Sequence, residues 1–155
     1  MCGIVGISFS KRTRSLPRML ATVAHRGPDG WGFWKDEHHA FGHARLAIID
    51  IEGGAQPMSD AGDLRHIVFN GEIYNYRRLR QVMGEETFRT HSDTEAILRL
   101  AGTPEAPEQW VRRLDGMFAF AMAEGEDLML ARDPLGIKPL YTGRWQGATV
   151  FASEL

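Results

Sequence analysis

The chain has 155 residues, 43% of them hydrophobic and 25% charged, with a formal net charge of −2. That length accommodates one domain with a substantial core, and the near-neutral charge gives no electrostatic ground for a nucleic-acid or anionic-membrane partner. No apolar run reaches the ~18 residues that span a bilayer, and the single cysteine excludes an internal disulfide framework.

Residues 3–9 are apolar and β-branched and predict a buried strand. This apolar start precedes the basic Lys11-Arg12-Thr13-Arg14, the reverse of a signal peptide, so a cytoplasmic protein is expected. Residues 16–23 predict a short helix with Pro17 in its first turn. His25-Arg26-Gly27-Pro28-Asp29-Gly30 is a turn cluster. Residues 31–34 and 39–50 predict strands, and Gly53-Gly54 breaks the chain. Residues 65–69 predict a strand running into a turn at Asn70-Gly71, and residues 75–83 a helix that Gly84 ends. Ser92 caps a helix over residues 93–100, with Glu95 at the third position to complete a capping box. Residues 107–114 predict a further helix. Residues 116–123 are expected to pair with 127–131, and 140–142 with 148–152. Strands at both ends with helices between them predict stacked sheets and helices in layers.

Cys2 directly follows Met1. If Met1 is removed, one residue carries both a thiol and a free α-amine. That is a nucleophile with its own base; the competing reading is a small residue at a frayed terminus. With Met1 attached, the nitrogen is an amide and no such base exists. Arg45 interrupts the apolar strand Ala44-Arg45-Leu46-Ala47-Ile48-Ile49. Its fork matches a carboxylate in two hydrogen bonds, or it forms an internal ion pair with Asp50. Asn70-Gly71 is a turn signal, and equally an amide beside a glycine N–H, a donor pair for an oxyanion. Asp93 and Glu95 either complement the helix dipole, or one of them holds a ligand ammonium. His38, His39 and His43 lack a cysteine or paired carboxylate at ligand spacing, so no metal site is expected. His25 and His91 read as local hydrogen-bonding residues.

Taken together, Met1-Cys2-Gly3-Ile4-Val5-Gly6, His25-Arg26-Gly27-Pro28-Asp29-Gly30, Gly42-His43-Ala44-Arg45-Leu46-Ala47-Ile48-Ile49-Asp50, Phe69-Asn70-Gly71-Glu72-Ile73-Tyr74-Asn75 and Ser92-Asp93-Thr94-Glu95 resemble the class II glutamine amidotransferases. So do Leu114-Asp115-Gly116-Met117-Phe118-Ala119 and the run from Ala131-Arg132-Asp133-Pro134 to Tyr141. The likeness is nearest to the glutaminase domain of bacterial asparagine synthetase. It spans the whole chain in the family's order.

The resemblance implies an α+β fold, a four-layer αββα sandwich of the N-terminal nucleophile hydrolase type. It implies that residues 1–155 form a type 2 glutamine amidotransferase domain, with the synthetase domain and its Ser-Gly-Gly loop absent. It makes Cys2 the nucleophile and Asn70 and Gly71 the oxyanion hole. Arg45 would hold the α-carboxylate of L-glutamine and Asp93 its α-ammonium. Glu72 and the carbonyls of Leu46 and Ile48 would line the pocket. The implied reaction forms a γ-glutamyl thioester on Cys2 and releases ammonia to a synthetase domain or subunit, as in asparagine biosynthesis. No metal or other cofactor is implied for this domain; ATP and Mg belong to the synthetase domain. The family's domain usually runs some tens of residues further, so truncation at the C-terminus is expected, and the stretch between Gly6 and His25 is shorter than usual. Two alternatives remain at this level: a non-catalytic remnant that binds glutamine or stabilises a partner, and an N-terminal-nucleophile amidase acting on other amides.

Overall fold

Side-chain alternation along the strands decides the architecture. A computed structural model describes residues 1–9 and 13–155; Lys11 and Arg12 of the basic stretch lie outside them. Strand β1 (Gly3–Ser8) is buried along its whole length. Successive residues enter different cores, because strand side chains point alternately to opposite faces. Ile4 packs with Phe41, Val68, Ala119, Ala121, Ala123 and Phe151. Val5 packs instead with Leu16, Val23, Ala40 and Ala44, so this face is covered by helix α1 (Leu16–Thr22).

Strand β1 is central in a five-stranded sheet of order β2 (Gly30–Lys35), β3 (His39–Arg45), β1, β9 (Ala148–Ala152) and β8 (Tyr141–Trp145). The second sheet has four strands in the order β4 (Met58–Ser59), β5 (Arg65–Ile73), β6 (Gly116–Glu124) and β7 (Asp127–Arg132). All of these pairings are antiparallel. On β6 the alanines 119, 121 and 123 face the first sheet. The larger Phe118, Phe120 and Met122 face α2 (Tyr76–Met83), α3 (Asp93–Ala101) and α4 (Pro107–Trp110), packing with Leu79, Ile97, Leu98, Leu100 and Trp110. Small residues on the inner face let the sheets approach. Phe41 and Phe151 fill the space between them, their ring centroids 5.4 Å apart, and burying each such ring contributes about 1.5–3 kcal/mol. Three separate cores between four layers make the αββα sandwich that the resemblance implies. Among the described residues, no helix is long and apolar enough to cross a membrane.

Four local expectations are corrected. The strand predicted over 39–50 stops at Arg45, because the chain folds back on Asp50. Asp50 has φ 49°, its carbonyl accepts from Gly54 N–H at 2.8 Å and its carboxylate from Gly53 N–H at 2.9 Å. There is no turn at Asn70-Gly71: β5 runs through both residues to Ile73, in register with β6. Continuous cross-strand pairing overrides the local turn preference. Ser92 does cap α3, accepting from Thr94 N–H at 3.2 Å. Glu95 does not close the capping box. Its carboxylate turns back to accept from the backbone of Arg89 and Thr90 and from the Thr90 hydroxyl. The helix predicted over 107–114 divides into α4 and a 3-10 turn at Val111–Arg113. Gly84 ends α2 as expected, at φ 89°, a conformation that glycine adopts without penalty.

Candidate active site

Every site residue that the resemblance implies faces one cavity of about 220 Å³, at the ends of β1, β3 and β5 and the start of α3. Cys2, Arg45, Leu46, Ile48, Asn70, Gly71, Glu72 and Asp93 all line it. Sheet register explains the convergence. Gly3 pairs with Ala44, so Cys2 lies beside the exit of β3. Its Sγ stands 3.4 Å from Leu46 N and 3.5 Å from Leu46 O. Met1 also borders the cavity, and with it in place the Cys2 nitrogen is a peptide nitrogen.

Two hydrogen-bond donors in this wall are unengaged. The Asn70 Nδ2 is buried and has no partner among the described residues. The second is the Gly71 N–H. Residues of an antiparallel pair alternately exchange hydrogen bonds and point outward. Phe118 spends its N–H and its carbonyl on Asp133, so the Gly71–Phe118 pair is of the outward kind. The Gly71 N–H therefore points to the open side of β5. Its neighbours on that side are both satisfied: Phe69 N–H donates to Gln56 Oε1 at 2.6 Å, and Ile73 N–H to Asp93 Oδ2 at 3.0 Å. Among the described residues nothing accepts from Gly71. Asn70 and Gly71 are thus positioned by strand pairing and not by turn geometry.

The charged groups are equally specific. Asp93 is only 4% exposed, and among the described residues no cation lies within ion-pair distance. Burial pushes its pKa up to about 6, against the opposing N–H groups of Ile73, Asp93 and Thr94; the nearby Glu72 pushes the same way as burial. Arg45 makes no ion pair with Asp50, contrary to that alternative. Its guanidinium donates to the carbonyls of Ile51 and Asp50, both at 2.7 Å. The remaining N–H groups of the fork find no acceptor among the described residues.

The histidines separate cleanly. His25 bonds Glu154, and His91 contributes its backbone N–H to Asp50 at 2.7 Å. His39 is held by Ser8 and the Gly125 carbonyl. Among the described residues no group of three or more His, Cys, Asp or Glu side chains is arranged to hold a metal ion. His43 lines the cavity fully buried, and burial lowers its pKa to about 4 against the opposing Phe69 backbone, so it is neutral at pH 7. Other residues line the cavity without a role assigned from the sequence, among them the polar Gln56 and Lys138. Gln56 bridges β5 to α3, donating to Thr94 Oγ1 at 3.2 Å; a lone glutamine before a proline carries no signal. Lys138 is buried against the cavity, without an ion pair among the described residues, in a motif that carried no assigned role.

A sequence profile described as "Glutamine amidotransferase domain" matches residues 1–155. The chain belongs to this family. The amidotransferase domain is 43% identical to asparagine synthetase [glutamine-hydrolyzing] 1 of Bacillus subtilis, over 99% of this chain and 26% of that protein. It is 40% identical to asparagine synthetase [glutamine-hydrolyzing] 3 of Arabidopsis thaliana, over 100% of this chain and 28% of that one. The chain therefore spans about a quarter of the length of the curated relatives it matches. Its fold is shared with the glutamine phosphoribosylpyrophosphate amidotransferase of B. subtilis, solved with ADP and GMP. There the TM-score is 0.83 at 24% identity, covering 99% of this chain and 42% of the other. A structure of the allosteric regulatory enzyme of purine biosynthesis superposes equally well, with a TM-score of 0.83 at 25% identity and the same coverage. The domain is of the N-terminal nucleophile type that these structures share.

Proposed function

We propose that this amidotransferase domain hydrolyses L-glutamine through a Cys2 thioester and supplies the ammonia to a synthetase domain or subunit. One observation carries the reading. The cavity that holds the thiol has three kinds of unmet demand, and free glutamine meets them together. Among the described residues the buried Asp93 carboxylate lacks a cation, the Arg45 fork has N–H groups to spare, and the Asn70 amide and Gly71 N–H await an acceptor. An unpaired buried charge is costly, so only a ligand with both an ammonium and a carboxylate satisfies the first two.

The chemistry follows from the same atoms. Removal of Met1 frees the Cys2 amine, which takes the thiol proton. The thiolate attacks the side-chain carboxamide carbon, and the carbonyl electron pair moves onto oxygen, where Asn70 and Gly71 donate to it. Collapse of this intermediate breaks the C–N bond, and the ammonium of Cys2 delivers its proton to the departing nitrogen. Water then attacks the thioester, releasing glutamate and restoring the thiol. The curated relatives are named as glutamine-hydrolysing asparagine synthetases, so aspartate activated elsewhere is the proposed ammonia acceptor, with ATP and Mg confined to that activation. The cytoplasm is the proposed compartment.

The test is ammonia release from glutamine by Met1-free protein, with asparagine as control substrate. Glutamine should react and asparagine should not. Cys2→Ala should be inactive, and protein retaining Met1 nearly so despite its intact thiol. Full activity with Met1 attached would remove the α-amine from the mechanism. No activity in the Met1-free protein would favour a glutamine-binding remnant.

A further inference from the structure

Glu154, the second residue after β9, reaches the nucleophile through a relay. Ser153 is zipped to the start of β1: its N–H donates to the Ile4 carbonyl and its Oγ accepts from Ile4 N–H, each at 2.9 Å. Glu154 is thereby fixed close to Cys2. The 3-10 turn Ala24–Arg26 approaches it from the other side. Arg26 Nη1 donates to Glu154 Oε1 at 2.7 Å, and His25 Nε2 lies 3.2 Å from the same oxygen. The Arg26 Nε donates in turn to the Cys2 carbonyl at 3.0 Å. The Arg26 side chain is 8% exposed, against 38% for Glu154 and 63% for His25. A guanidinium that enclosed needs an anion, and Glu154 is the only one within ion-pair distance among the described residues.

Cys2 precedes the sheet ladder, which begins with the Gly3–Ala44 pair. Its carbonyl is held by Arg26, outside that ladder. The peptide plane joining Cys2 to Gly3 is thus fixed at its oxygen by Arg26, and the thiol is held by Leu46. With Cys2 as the N-terminal residue, these contacts are what restrain it. We propose that Glu154 is a positioning residue: by anchoring Arg26 it holds the Cys2 carbonyl, and with it the thiol and amine, in the orientation that attack requires. This rests on the glutaminase reading above.

The experiment compares wild type, Glu154→Ala and Glu154→Gln as Met1-free proteins, with activity scaled to the folded fraction by circular dichroism. Two readouts are taken: kcat and KM for glutamine, and the rate of Cys2 alkylation by iodoacetamide, which needs no glutamine. Without its anion, Arg26 turns to water and releases the carbonyl. Glu154→Ala should lose about 10²-fold in kcat, the cost of a misplaced reacting group, with KM near wild type and slower alkylation. The glutamine side chain keeps an acceptor oxygen for Arg26, so Glu154→Gln should recover most of both rates. Wild-type kcat and alkylation in Glu154→Ala would overturn the proposal, as would a rise confined to KM. Equal losses in both variants that vanish on scaling would also overturn it, leaving a structural role. If wild type does not hydrolyse glutamine yet the alkylation rates differ as stated, the glutaminase reading fails while the positioning of Cys2 stands.

Discussion

Replacing Asp93 by asparagine should make the ligand-free domain more stable at pH 7 and unable to hold glutamine. Asp93 is 4% exposed and its pKa is raised from 3.8 to about 6, chiefly by burial, with no cation among the described residues to offset it. The shift of about two units, at 1.36 kcal/mol each, corresponds to about 3 kcal/mol of destabilisation carried by the ionised carboxylate. The sign follows from proton counting. Between about pH 4 and 6 the native state holds a proton that the unfolded chain has lost, so this group lowers stability as pH rises through that window. Below it both states are protonated and the group contributes nothing; above it the penalty is complete. The substituted amide would keep an acceptor for the Ile73 N–H and carry no charge. Thermal melts of wild type and Asp93→Asn should therefore coincide near pH 3.5 and separate by roughly 6–12 °C at pH 7. Saturating glutamine should raise the melting temperature of wild type only, because its ammonium supplies the missing cation. For the same reason glutamine affinity in the wild type should weaken as pH falls through about 6. A variant no more stable than wild type at pH 7, or an advantage independent of pH, would refute the reasoning.

Asn70→Ala removes a buried donor with no partner among the described residues in the ligand-free state, so its melting temperature should change little. Its single-turnover thioester formation should slow by about 10²–10³; acylation at the wild-type rate would remove Asn70 from the oxyanion site. Arg45→Ala should raise KM for glutamine more than it lowers kcat, and Arg45→Lys should not restore binding, because an ammonium cannot bridge the Asp50 and Ile51 carbonyls while facing a carboxylate. A fall in kcat at constant KM would make Arg45 an orienting residue instead. Gly71→Ala would drive a Cβ into the Met117 carbonyl oxygen and to 2.8 Å from Phe118 Cα. It should cost about 1–3 kcal/mol in urea denaturation, and unchanged stability would contradict the β5–β6 register.

The features legible in the residues alone are those that rest on nearest neighbours in the chain. Apolar periodicity placed the strands and helices, Ser92 and Gly84 marked helix ends, and the residue types at positions 2, 45, 70, 71 and 93 named a thiol, a guanidinium fork, two donors and an acid. Tertiary structure decided how those residues are used. Asn70-Gly71 reads locally as a turn, yet nine consecutive pairings with β6, at sequence separations of about 43–59 residues, hold it extended and leave the Gly71 N–H to the cavity. Arg45 reads as a partner for the Asp50 carboxylate, but the fold-back at Asp50 presents carbonyls to it instead. The raised pKa of Asp93, the lowered pKa of buried His43 and the reach of Glu154 to Cys2 through Arg26 depend on which layers close over which side chains. Desolvation and long-range pairing are properties of the packed chain, and no local pattern of residues encodes them.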